Sequence, residues 1–465
     1  MNTRTKLGIF VLFALVATIV LNEINLSFLG NEYPYKQGLI TTADEYSYFS
    51  PAEQFLKTSE WNVNSTGEKA YIRTPGYGII YFVALALGGS HAFVVLKCIQ
   101  LLLFAGSIVL FFRILRGFTD EKLSLIATTF YALLPCFSGF TYYTLSESVL
   151  PFFVLGWLYS VFVQSEKNQW LMLLFSTAAL VMIRPQLIVF PLVLLLYYTI
   201  KRDKLVFALL LGLLPFVSWQ VRTMSILGHW PDLHPIYSTK NNSLYRPPHR
   251  EMTDLFRIWE YRGDVFHGNM GVLSSDTTKE ARNKVLETIP MKYRKDVTPV
   301  LHDFQQLRYL QQSTYAEKSI HGFLPGEKEL VEQIRKVRKH LQAQRPFDYY
   351  LKTPSLSAKR LIGTSMMNLY VFQATWSNAW VVLLLKIVCF VLIVCGICAT
   401  IVMLFSGEND LLKVCAFALL CSLLYLVFFQ RMNEERYLYP YLPLLLLFFV
   451  AVVGRWKAKL IQNDF

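Results

Sequence analysis

Residues 380–405 read WVVLLLKIVCFVLIVCGICATIVMLF, with Lys386 as their single charged side chain. A helix of this sequence is apolar on every face and long enough to cross the ~30 Å hydrocarbon core of a bilayer, which takes about 20 residues. A core helix of a soluble protein would keep a polar stripe, and this run has none. The fold class therefore turns on how many more such runs the chain contains.

The same criterion marks 7–21, 92–115, 123–139, 149–163, 170–183, 187–200, 205–221, 411–429 and 437–453. The stretch 77–87 is too short to span and reads as an interfacial or half-inserted helix. Basic clusters at Arg4 and Lys6, Arg113 and Arg116, Lys167, Lys201 to Lys204, and Arg455 to Lys459 all fall on one side of this arrangement. By the positive-inside rule that side is cytoplasmic, with both termini on it and the first run kept as an anchor. Over 465 residues, 54% are hydrophobic and only 17% charged, and the mean hydropathy is +0.37. Those values exclude a disordered chain, a coiled coil, a collagenous repeat and a disulfide-stapled secreted module. The expectation is an all-α polytopic membrane protein of about ten transmembrane helices. Residues 1–222 form an N-terminal transmembrane module with an outer loop at 22–91, 223–378 a mainly helical extracytoplasmic domain, and 379–465 the C-terminal spans.

Within the polar region, apolar residues recur at helical spacing over 278–288, 300–315 and 326–344, punctuated by Pro290, Pro299 and Pro325. In the last of these Val331, Ile334, Val337 and Leu341 share a face. Arg335, Arg338 and Lys339 lie on another, either solvated or, with the helix on anionic headgroups or over the site, turned toward phosphates. The seven cysteines lie in or beside apolar runs, and Cys395 and Cys398, inside a span, read as packing residues and not as a redox pair.

The chemically informative residues gather at the outer ends of the spans: Asp44, Glu45, Arg73, Tyr77, Lys97, Glu147, Arg184, Arg222 and Arg436. Ionisable groups at membrane depth are costly and are usually paired or functional. A carboxylate among arginines stays ionised and able to accept a proton, while the guanidinium fork suits phosphate. Such a set fits a reaction in which a hydroxyl loses its proton as an anionic group departs. The competing reading makes each a salt-bridge member or a snorkelling anchor. His229, Asp232 and His234 offer the single hint of a divalent metal, but Pro231 breaks their spacing, and no cofactor is expected. The polar, aromatic loop at 241–245 is a candidate acceptor contact.

Asp44 and Glu45 soon after the first span, then Arg73, Pro75, Gly76 and Tyr77 opening a short helix, resemble the GT-C superfamily of integral-membrane glycosyltransferases. The likeness is greatest to the bacterial branch of lipid A aminoarabinose transferases and protein O-mannosyltransferases. Glu147, Arg184 with Pro185, Trp219 with Arg222 and Gly228, and Arg436 and Tyr437 with Pro440 and Pro443 agree in order and side. The acidic neighbours Glu434 and Glu435 are a departure from it. The resemblance implies a polyprenyl-phosphate-linked sugar as donor and a lipid, glycan or protein acceptor, with no nucleic acid involved. Transfer would invert the anomeric carbon outside a bacterial inner membrane, on its periplasmic side. Asp44 would be the base or orienting carboxylate and Glu147 a second acidic catalytic residue. Glu45, Arg73, Tyr77, Lys97, Arg184, Arg222 and Arg436 would bind substrate. Two other functions fit the same residues: a transporter or flippase of an anionic lipid or glycan, and a non-catalytic envelope assembly factor.

Overall fold

Every one of the ten apolar runs forms a helix. The computed structural model describes residues 3–29, 35–42, 44–61, 73–162, 168–227, 247–314, 326–363, 379–406, 409–431 and 435–463. In chain order the membrane part comprises α1 (Thr3–Leu29), α2 (Glu45–Thr58), α3 (Gly76–Gly88), α4 (Ala92–Arg116), α5 (Glu121–Leu133), α6 (Pro135–Ser138), α7 (Leu150–Phe162), α8 (Gln169–Ile183), α9 (Val189–Lys201) and α10 (Leu205–Leu227). After α11 to α16, α17 (Ala379–Phe405), α18 (Asp410–Leu424) and α19 (Leu442–Asn463) complete it. Six helical stretches, among them Thr5–Ile24, Gly76–Arg116 and Leu383–Phe405, are long and apolar enough to cross a membrane on their own. A seventh is α5 with the segment up to Tyr142, bent by 59°. The bend follows from Pro135, which drives Leu134 into an extended conformation. α7, α8 and α9 are apolar but short. Exposed Phe13, Leu102, Leu196 and Phe405 face outward, the surface a bilayer covers.

Local chemistry sets the helix ends. The Asp120 carboxylate accepts from the Leu123 N–H at 2.7 Å to start α5, and the Asn409 side chain accepts from the Leu411 N–H at 3.0 Å to start α18. Between helices, small residues allow close approach: a Cβ at Gly396 would fall 2.6 Å from that of Leu445, so α17 and α19 meet nearly backbone to backbone. The only sheet among the described residues is an antiparallel hairpin of Tyr35–Lys36 with Leu39–Ile40.

Between α10 and α17 the chain builds a second hydrophobic core from α11 (Pro247–Phe256), α12 (Gly263–Ser275), α13 (Lys279–Thr288), α14 (Met291–Thr314) and α15 (Glu327–Gln344), around Phe256, Phe266, Val285, Leu301, Phe304 and Ile334. Pro299 was expected to punctuate and instead lies inside α14. A proline there costs about 3 kcal/mol, but Val297, Val300, Leu301 and Phe304 are all buried on its two sides and hold the helix together. The headgroup-facing alternative for α15 is also corrected. Arg335 pairs with Glu251 at 2.7 Å, and Arg338 with Glu251 and Asp254 at 3.1 Å each, so these cations clamp α15 to α11.

This unit meets the spans through α16 (Thr353–Gly363), which packs against the start of α17 and against 425–430, the π-helical end of α18. Just before α16, Asp348 accepts from Lys292 and from the Tyr293 hydroxyl. Burial alone would raise the Asp348 carboxyl, but these two donors outweigh it and hold it below the usual carboxylate range. Arg360 does the same for Asp264. A carboxyl lowered in the folded state contributes stability above its unfolded pKa of about 3.9 and loses it as the pH falls through the folded value. Thermal stability in detergent is therefore expected to drop with acidification below about pH 4, and Asp348→Asn to flatten part of that acid limb in a Tm-versus-pH series.

Candidate active site

Asp44 stands at the N-cap of α2 yet makes no capping hydrogen bond with its side chain. Its carboxylate turns instead to two guanidiniums, Arg436 Nη2 at 2.8 Å and Arg73 Nη2 at 3.7 Å. Glu45, one residue on, points elsewhere and takes Lys36 at 2.8 Å and the Thr144 hydroxyl at 3.3 Å. The hairpin explains the divergence. Ile40 bridges to Tyr143 and its carbonyl accepts from the Thr144 N–H, which fastens the strand before Asp44 onto the segment leading to Glu147.

Arg73 reaches this place because of the glycine three residues on. A Cβ at Gly76 would sit 2.5 Å from the Met182 carbonyl carbon, so the start of α3 rests directly on the end of α8. α8 then terminates at Arg184, whose extended backbone precedes Pro185. Arg184 Nη1 pairs with Glu147 Oε1 at 3.0 Å, and its Nε donates to Gln186 Oε1 at 3.0 Å. Glu147 is 1% exposed.

The two ion-pair groups are joined on both sides. On one, Arg73 stacks on the Tyr48 ring at 4.1 Å, and the Tyr48 hydroxyl donates to Ser146 Oγ at 3.2 Å. Ser146 in turn donates to Glu147 Oε2 at 3.2 Å and accepts from Arg184 at 3.4 Å. On the other side Arg184 lies over the Tyr437 ring at 5.0 Å, and Tyr437 adjoins Arg436 in the chain. The result is a closed ring drawn from five separate stretches of sequence. It holds three guanidiniums against two carboxylates, a net positive charge where water is scarce.

The other candidates take different positions. Lys97 pairs with Glu23 at 3.2 Å and lies over Tyr142. Arg222 stacks on Trp219 of its own helix at 4.5 Å. Tyr77 is fully buried behind the ring, edge-on to Tyr48 and hydrogen-bonded by Gln100 at 3.2 Å. His229, Asp232 and His234, Gly228 and the loop 241–245 lie outside the described residues. Sequence reasoning passed over Tyr48, Ser146 and Gln186 as site members. The signal for Tyr48 was its spacing, one helical turn from Asp44 and so on the same face of α2.

No protein-family model matches this chain, and no curated protein does. Two crystal structures of ArnT from Cupriavidus metallidurans align with it. The form bound to undecaprenyl phosphate has 13% identity and a TM-score of 0.38 over 98% of this chain and 79% of that one. The apo form has 14% identity and a TM-score of 0.37 over 98% and 78%.

Because Glu147 and Arg184 are both buried, removing one partner leaves the other's charge uncompensated. Glu147→Ala is expected to destabilise the purified protein by about 3–5 kcal/mol. The double variant Glu147→Leu with Arg184→Met should melt closer to wild type than either single change, a comparison that differential scanning fluorimetry in detergent makes directly.

Proposed function

We propose that the protein is a glycosyltransferase that moves a sugar from a polyprenyl-phosphate donor to an acceptor at the outer face of its membrane. The observation that carries this reading is Asp44 held between Arg73 and Arg436, in a ring whose charge is one positive in excess. A carboxylate between two forks is what glycosyl transfer from a lipid phosphate needs: an anion to take a proton and cations to receive an anionic leaving group. The order and side of the motifs around Asp44, Arg73, Glu147, Arg184 and Arg436 support the same class.

In this mechanism the acceptor hydroxyl oxygen attacks the anomeric carbon from the face opposite the phosphate. The new carbon–oxygen bond forms as the bond to the phosphate oxygen breaks, which inverts the centre. The hydroxyl proton passes to the Asp44 carboxylate, and the electron pair leaves with the lipid phosphate, held by Arg73 and Arg436. Asp44 in this role acts as much by orienting the hydroxyl as by basicity. Glu147 holds Arg184 charged and in place beside the leaving group. The distribution of basic clusters supports a site on the outer side with both termini in the cytoplasm.

Asp44→Asn should lower transfer from a radiolabelled polyprenyl-phosphate sugar by at least ~10²-fold, the low end of what a positioned acid or base contributes. The variant should still insert and fold, because asparagine keeps an acceptor for the guanidiniums, though it should melt below wild type. Undiminished transfer by the asparagine variant removes Asp44 from the mechanism, and movement of labelled lipid without bond cleavage by the wild type would identify a flippase instead.

A further inference from the structure

Arg431 lies in none of the motifs above, yet its backbone and side chain are both in unusual states. It follows the π-helical end of α18 with φ +47° and ψ −177°, a conformation that side-chain-bearing residues avoid and glycine adopts freely. Its N–H closes the helix end on the Leu426 carbonyl at 3.0 Å, the job a glycine usually has at this position. An arginine here needs compensation from its side chain, and that side chain is 3% exposed.

The guanidinium reaches across to the unit built from α11 to α16. Its Nη1 donates to the Arg257 carbonyl at 2.7 Å, and its plane lies 4.0 Å over the Tyr349 ring, while Nε returns to the Phe428 carbonyl at 2.8 Å. Arg257 is anchored in turn to Asp254 at 2.6 Å, and Asp254 to Arg338 of α15. Five positions beyond Arg431 the same strand of chain delivers Arg436 to Asp44, and then Tyr437 to Arg184.

We infer that Arg431 is a positioning residue: it pins the segment carrying Arg436 and Tyr437 to the intervening helical unit, so that this unit sets the geometry of the phosphate-binding side of the ring. The inference rests on the proposed transfer site for its functional consequence, but its structural core does not depend on that reading. The pin explains why a glycine-like position carries an arginine, and it gives the intervening unit a direct mechanical connection to a site none of its own described ion pairs enters.

The test uses the full-length protein in detergent, with two readouts. One is hydrogen exchange of the backbone at 435–441, and the other is the Kd of farnesyl phosphate, a short polyprenyl phosphate. Arg431→Gly relaxes the backbone while deleting the guanidinium. Tyr349→Leu removes the stacking platform from the opposite side. Both should speed exchange at 435–441 at least tenfold and weaken farnesyl phosphate at least fivefold, with Arg431→Lys in between because it keeps a donor to the Arg257 carbonyl but loses the planar stack. Wild-type exchange in both Arg431→Gly and Tyr349→Leu overturns the inference. If wild-type protein binds no farnesyl phosphate, the functional reading fails while the exchange readout still decides the role of Arg431.

Discussion

A charge taken out of water must find an opposite charge or a polarisable face, and the ends of these helices bring three arginines and two acids into that predicament together. Much of the local architecture follows. Asp44 forgoes its capping role, Arg184 breaks out of α8 into an extended conformation, and Gly76 lets α3 rest on the backbone of α8. Each is a local cost that makes sense only as part of the ring. Aromatic faces do what carboxylates are too few to do: Tyr48 and Tyr437 supply quadrupoles under Arg73 and Arg184, a contribution of about 0.5–2 kcal/mol apiece depending on desolvation.

The ring also organises the chain over long distances. Its members come from the loop after α1 with the start of α2, the starts of α3 and α7, the end of α8 and the segment before α19, so it can close only when N- and C-terminal spans are packed. The Tyr439 hydroxyl, donating to the Phe137 carbonyl at 2.8 Å, helps secure that packing. Inside the intervening unit the same economy applies to α15, whose arginines are spent on Glu251 and Asp254 and not on lipid phosphates.

The spans were legible because bilayer thickness imposes a length and an apolarity that each run displays by itself. Of the second core, α13, α15 and the later part of α14 were legible by their spacing while α11 and α12 were not marked, and Pro299 looked like a stop: whether a proline ends a helix depends on the burial around it, which is a tertiary quantity. Asp44 and Arg73 could be picked out as a pair of opposite charges in one loop. That Asp44 also meets Arg436, or that Tyr48 reaches Ser146, could not, since these partners are distant in sequence and nothing local marks them. Arg431 was invisible for a related reason. An arginine near a span end looks like a topology signal, and only its positive φ and its partners distinguish it.

The shortness of α7 and α8 bears on where the chemistry happens. Their 13 and 15 residues rise ~20 Å and ~23 Å at ~1.5 Å each, against a hydrocarbon thickness of ~30 Å. Glu147 leads into the first and Arg184 leaves the second, so both hang from described helices shorter than that thickness. The bilayer must thin or the protein must form a basin above them. On the proposed reading, a donor whose phosphate reached those arginines would enter sideways, its tail still among the acyl chains.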